Sequence, residues 1–159
     1  MIIPYNNKRA VEYAIRWALS RNPDFYDFSS IGGDCTNFAS QCLYNGAPVM
    51  NYTPTFGWYY ESLNNRSPSW TGVDYFYDFL VNNQSLGPFG MTVSLNQVQL
   101  GDFIQLSNDW FDFHHTLIVC GFSGDVPLIC AHSDDALMRK LSDYDYTTLR
   151  CIRVLGART

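Results

Sequence analysis

Charge is scarce in this 159-residue chain. Charged residues make up 16%, and the ten Lys and Arg are scattered rather than clustered. With a net charge of -5 and no basic stripe, the chain lacks the electrostatic footprint of a nucleic-acid binder. No window approaches about 18 uninterrupted apolar residues, so no membrane span is expected. The opening MIIPYNNKRAVEYA has no basic region followed by a long apolar run, and it does not read as a signal peptide. Localisation stays open, because such a chain is also expected as a domain cut from a larger secreted or wall-associated protein. G-x-G-x-x-G and phosphate-binding loops are missing, which leaves nucleotide chemistry unsupported. G-x-S-x-G is missing too, which argues against a serine hydrolase of the α/β type. There is no C-x-x-C and no H-x-x-x-H, and Cys35 and Cys42 lie further apart than paired zinc ligands do, so no metal is expected. The five cysteines (Cys35, Cys42, Cys120, Cys130 and Cys151) are an odd number and cannot all pair. Reduced, mostly buried thiols are the simplest expectation.

What the chain does have is apolar bulk. Hydrophobic residues reach 47% and aromatic residues 16%, enough for one domain spanning residues 1–159 with its own core. Most of the rings are expected inside that core, with Trp58, Tyr59, Tyr60, Trp110 and Phe111 as candidates for groove walls. Ala10, Val11, Ala14, Ile15, Ala18 and Leu19 recur with helical spacing from Asn7 to Leu19. Asn6 or Asn7 is a fitting cap, and Asn22-Pro23 a stop. A second helix is predicted from Cys35 to Tyr44, closed by Asn45-Gly46. Residues 47–68 read as an irregular excursion, followed by a shorter helix through Val73, Phe76, Tyr77 and Leu80. The second half changes to short apolar runs at Phe103–Leu106, Thr116–Phe122, Val126–Ala131 and Leu149–Val154, which read as strands. Ser123-Gly124-Asp125 joins two of them as a hairpin. Helices first and an antiparallel sheet after predict an α+β domain.

The stretch Gly32-Gly33-Asp34-Cys35-Thr36-Asn37-Phe38-Ala39-Ser40-Gln41-Cys42 carries the chemistry. It sets Cys35 at the first helical position, with Asp34 as the N-cap. Free amides and partial positive charge at a helix start favour a thiolate and suit an oxyanion. Asp34 opposes this, because a nearby negative charge raises a thiol pKa, so such a cysteine wants a histidine. Cys42, two turns along the same side, reads as core. His114 and His115 open a strand, and simple alternation would point them to opposite faces. His132 closes the next strand, and a hairpin would bring His132, Ser133 or Asp134 toward His115 as an orienting group.

GGDCTNFASQCL resembles the nucleophile motif of the "putative amidase domain" family, a branch of the papain-like cysteine hydrolases related to the NlpC/P60 and CHAP domains. The resemblance also runs through Arg9–Ala18, Ser69-Trp70, Gly101–Ile104, His115–Val119 and, loosely, His132–Asp135. It implies a papain-like (NlpC/P60-like) fold, with N-terminal helices packed on a C-terminal antiparallel sheet. It implies Cys35 as nucleophile, His115 as general base and His132 as the third, polar member, with Asp134 as the alternative. Asp34 and Thr36 flank the oxyanion position. The implied activity is hydrolysis of amide bonds in bacterial cell-wall peptides, by a monomer without a cofactor. The same residues would also serve an acyltransferase, and an inactive relative would bind wall polymer instead.

Overall fold

Alanines at every fourth position explain how the first helix packs. In the computed structural model, which describes residues 1–159, a two-residue strand β1 (Ile2–Ile3) leads into α1 (Asn7–Trp17). Asn6 caps α1, its Oδ1 accepting the Arg9 amide at 3.1 Å. Ala10, Ala14 and Ala18 are fully buried. Their small side chains let α1 lie close along α2 (Cys35–Gly46), where Cys42 and Leu43 belong to the same core. The two helices are joined end to end as well, the Asn6 amide donating to the Gly46 carbonyl at 2.8 Å. A Cβ on Gly46 would meet the Tyr5 ring at 2.4 Å, so only glycine permits this approach.

Ten of the twelve residues of α2 are buried, polar ones included. Two indoles account for this. Trp58 and Trp70 stack with centroids 4.7 Å apart, and both are fully buried. Trp58 Nε1 donates to Ser40 Oγ at 3.1 Å, Trp70 Nε1 donates to Asn37 Oδ1 at 3.0 Å, and Ser40 Oγ donates to the Trp70 carbonyl at 2.9 Å. Each buried polar group thus finds a partner, as burial requires. Residues 47–68 hold a small hairpin, β2 (Tyr60–Ser62) with β3 (Asn65–Arg66), within the segment expected to be irregular. A single turn α3 (Pro68–Thr71) and α4 (Val73–Asn82) complete the helical half.

The second half adds β4 (Gly87–Val93), β5 (Phe103–Ser107), β6 (Phe113–Ser123), β7 (Val126–Ala131), β8 (Ala136–Lys140) and β9 (Thr148–Arg158). They form one curled antiparallel sheet ordered β1-β9-β5-β6-β7-β8, with β4 also paired to β9. The β6–β7 connection is the expected hairpin, Gly124 taking φ +59°. Alternation along the strands gives the sheet two apolar faces. Phe103, Ile118, Cys130 and Ile152 meet the helices, whereas Ile104, Leu117, Val119, Ile129 and Cys151 form a second core on the other face. The molecule is therefore α+β, with the start of α2 set against the sheet where β6 begins.

Candidate active site

Cys35 is the first residue of α2 and is 7% exposed. What it touches follows from an unfilled strand edge. β6 pairs with β7 only from Ile118 to Ser123. Ahead of Ile118 that edge of β6 has no strand beside it, and the first turn of α2 takes the place. The Cys35 thiol reaches the His114 carbonyl, Sγ to O 3.9 Å. Thr36 Oγ1 and Thr116 Oγ1 are bonded at 2.9 Å, both side chains buried, and Gln105 Nε2 donates to Thr116 Oγ1 at 3.2 Å. The start of α2 thus meets β6 on either side of His115.

The two histidines do not diverge as simple alternation requires. Leu106 pairs with His115 and Ser107 with Phe113, so His114 is an extra residue in β6. Such a bulge re-aims side chains. The two rings lie 6.4 Å apart at an angle of 22°, and both line one cleft of about 630 Å³ with Arg21, Ser133 and Asp134. His115 also packs edge-on against Tyr144, centroids 5.9 Å apart.

His132 occupies a different place from the one expected beside His115. Its ring is 1% exposed and stacks on Phe38 at 3.9 Å. Nδ1 lies 2.5 Å from Asp34 Oδ2, and Nε2 lies 2.7 Å from the Trp17 carbonyl oxygen. A carbonyl only accepts, so Nε2 carries a proton and donates it there. Both ring nitrogens are thereby engaged with α1 and with the residue that precedes α2. Asp34, in turn, is not a side-chain cap for the helix amides. Its Oδ1 accepts from the Phe28 amide and from Asn37 Nδ2, each at 2.8 Å, and its Oδ2 faces His132 and Arg21 Nε, the latter at 3.6 Å. This hub ties α1, the loop before α2 and the end of β7 to the start of α2. No local pattern reveals it, because its partners are 98 residues apart.

Ser133 and Asp134 follow at φ +60° and +64°. Two consecutive non-glycine residues in the left-handed region store strain that the surroundings must offset. Part of the compensation is visible: Ser133 Oγ accepts the Asp34 amide at 2.9 Å. The turn directs Asp134 into the cleft with His115.

Electrostatics leave the Cys35 thiol and the His115 ring neutral at rest. Burial pushes the Cys35 thiol up; bonds from the Thr116 amide, the Thr36 hydroxyl and the Thr36 amide pull it down, and Asp34 adds a small further rise. Burial pulls the His115 ring down to about 4; His114 and Arg139 add to the fall, and Asp134 opposes it. The helix start alone therefore does not make a thiolate. Among the remaining thiols, Cys42 is fully buried, in keeping with a packing role.

The five candidate groove-wall rings do not share one environment. Trp58 is fully buried, whereas Trp110 and Phe111 are 68% and 83% exposed. No His/Cys/Asp/Glu group of three or more has the arrangement of a metal site. No helix is long and apolar enough to cross a membrane.

Comparison with known proteins places the chain in a family. The chain is 33% identical over 148 residues to "Uncharacterized protein YhbB" of Bacillus subtilis (strain 168), covering 90% of this chain and 46% of the relative. It therefore spans about half the length of that curated relative. No solved structure matches it. The model of the family described as "Putative amidase domain" matches residues 4–154, from just before α1 to within β9, and so takes in Cys35, His115, His132 and Asp134. The chain belongs to this amidase-domain family, whose description points to hydrolysis of amides.

Proposed function

We propose that the protein is a cysteine-dependent amide hydrolase of papain-like architecture, related to the NlpC/P60 and CHAP domains and acting on bacterial cell-wall peptides. Cys35 is the nucleophile, His115 the general base, and Asp134 the polar group that steadies the imidazole. One observation carries this reading: the Cys35 thiol reaches the His114 carbonyl and the adjacent Thr36 bonds Thr116, so the start of α2 meets β6 on either side of His115. The order of elements, a cysteine helix followed by an antiparallel sheet bearing the histidine, supports it further.

The chemistry follows from the neutral resting pair. As Cys35 Sγ bonds to the substrate carbonyl carbon, its proton passes to His115. The carbonyl oxygen becomes an oxyanion, which the Cys35 amide receives, since the first amides of a helix have no intrahelical acceptor. The C–N bond then breaks, and His115 returns the proton to the departing amine. Water attacks the thioester with His115 again as base, releasing the carboxylic acid and restoring the thiol. No cofactor enters. His132 and Asp34 act as positioning residues, holding the start of α2 against β7 and α1, which is why Asp134 is preferred over His132 beside His115.

Incubation with purified wall muropeptides in ¹⁸O-water tests the proposal. A new amine and a carboxylate carrying ¹⁸O are expected from the wild type. Added hydroxylamine distinguishes the related transfer reaction, because preferential hydroxamate formation over hydrolysis would mean that water is not the natural acceptor.

A further inference from the structure

We propose that the cleft between the Asn51–Trp58 loop and α4 is a binding site for a neutral oligosaccharide. It has a volume of about 720 Å³, within the range of ligand sites. It does not border Cys35. The twelve residues of α2 separate Cys35 from Gly46, about 17 Å of helical rise, and the cleft begins past that end at Asn51.

The walls combine rings with amides. Phe56 is 83% exposed and Tyr75 is 61% exposed, while Phe79 forms part of the lining at 7%. Asp78, Asn82 and Gln84 bring polar atoms to the same cleft, and Asp78 makes no ion pair. No Lys, Arg or His lines it.

Phe56 is not exposed through looseness of its loop. Asn51 and Trp58 exchange both backbone bonds, at 2.9 and 2.7 Å, and the Gly57 amide donates to the Thr53 carbonyl at 2.8 Å. A Cβ on Gly57 would meet the Asn51 carbonyl oxygen at 2.1 Å, so the loop closes this tightly only around glycine. Thr55 is held at φ +69°. The ring is thus presented by a closed, hydrogen-bonded loop, which loses little freedom when a ligand stacks on it.

This chemistry selects among ligand classes. An anion would find no cationic partner. A wholly apolar ligand would strip water from Asp78, Asn82 and Gln84 without replacing it. An extended peptide adding to a strand edge would need free backbone groups, and those of the Asn51–Trp58 loop are largely paired with one another. A pyranose offers an apolar C–H face for the rings and hydroxyls for carboxylate and amide side chains. Pre-set polar groups beside aromatic surface are what such a ligand takes.

The site stands apart from the Cys35 reaction, and the test keeps them apart. The full chain, labelled with ¹⁵N, is titrated with N,N′,N″-triacetylchitotriose and separately with an uncharged N-acetyl tripeptide amide. The saccharide is expected to move the side-chain amide signals of Asn82 and Gln84. Phe56→Ala and Tyr75→Ala, both exposed and so compatible with the native amide spectrum, should each weaken binding about tenfold. Cys35→Ala should bind as the wild type does, whatever happens to hydrolysis. The proposal is overturned by an absence of shifts up to about 10 mM saccharide, by shifts that map elsewhere, by binding of the tripeptide alone, or by unchanged affinity in both aromatic variants.

Discussion

His132 Nδ1 and Asp34 Oδ2 lie 2.5 Å apart, with both side chains 1% exposed. Removing His132 leaves one oxygen of the buried Asp34 without its hydrogen-bond partner, which costs about 1–3 kcal/mol. His132→Ala should therefore lower the urea midpoint strongly, and it also frees the Trp17 carbonyl and the face of Phe38. Asp134→Asn touches none of these partners, suits the left-handed backbone at 134, and should unfold within about 0.5 kcal/mol of the wild type. Equal destabilisation by the two changes would contradict the separate roles assigned to them.

Asp134→Asn tests the cleft side of the same turn. Asparagine tolerates the left-handed backbone that residue 134 adopts. The change removes a negative charge that raises the affinity of His115 for a proton. His115 becomes a weaker base, and kcat should fall several-fold while the melting temperature stays near that of the wild type. An unchanged kcat would remove Asp134 from the reaction.

Cys35 is the most exposed of the five thiols, at 7% against 1% for Cys151. Alkylation by iodoacetamide, read by peptide mass spectrometry, should reach Cys35 first. Because burial raises its pKa, the rate should keep climbing as pH rises past 9, the ordinary thiol value, rather than level off near neutrality. A plateau below pH 8 would mean a resting thiolate and would contradict the neutral pair.

His115 also links stability to pH. Its ring takes a proton near 6.5 in the unfolded chain but only near 4 in the fold. The neutral ring is thus favoured by folding, and its contribution is complete above about 6.5. It is lost as pH falls toward 4 and levels off below that value. The full difference is at most about 3 kcal/mol, reduced by the partial exposure of the ring. Urea titrations from pH 7 to 4 should show a smaller decline in His115→Asn than in the wild type. Parallel curves would contradict the depressed value.

The sequence reveals these features unevenly, and the reasons are local. α1, α2, β6 and β7 carry clear apolar periodicity, and Gly124 marks their hairpin. β4 is written GPFGMTV, whose proline and glycines mimic a loop, and it becomes a strand only by pairing with β9. β8 is short and partly charged, and β1 has two residues, so both depend on neighbours distant in sequence. At the site, Cys35 at a helix start is visible from Gly32-Gly33-Asp34 alone. The orientation of His115 is not, because the extra residue His114 breaks the alternation that would predict it. The expected pairing of His132 with His115 rests on hairpin proximity, which does bring Asp134 into the cleft. The bond from His132 to Asp34 depends instead on where α1 and α2 settle on the sheet.

The central claim is that Cys35 and His115 together break an amide bond. Its most direct measurement is the rate of amine release from wall muropeptides by the wild type, Cys35→Ala and His115→Asn, each with its fold verified by circular dichroism. Loss of a nucleophile or its base removes most of the chemical acceleration, so both variants should fall by about a thousandfold or more. Release by Cys35→Ala at the wild-type rate would contradict the account.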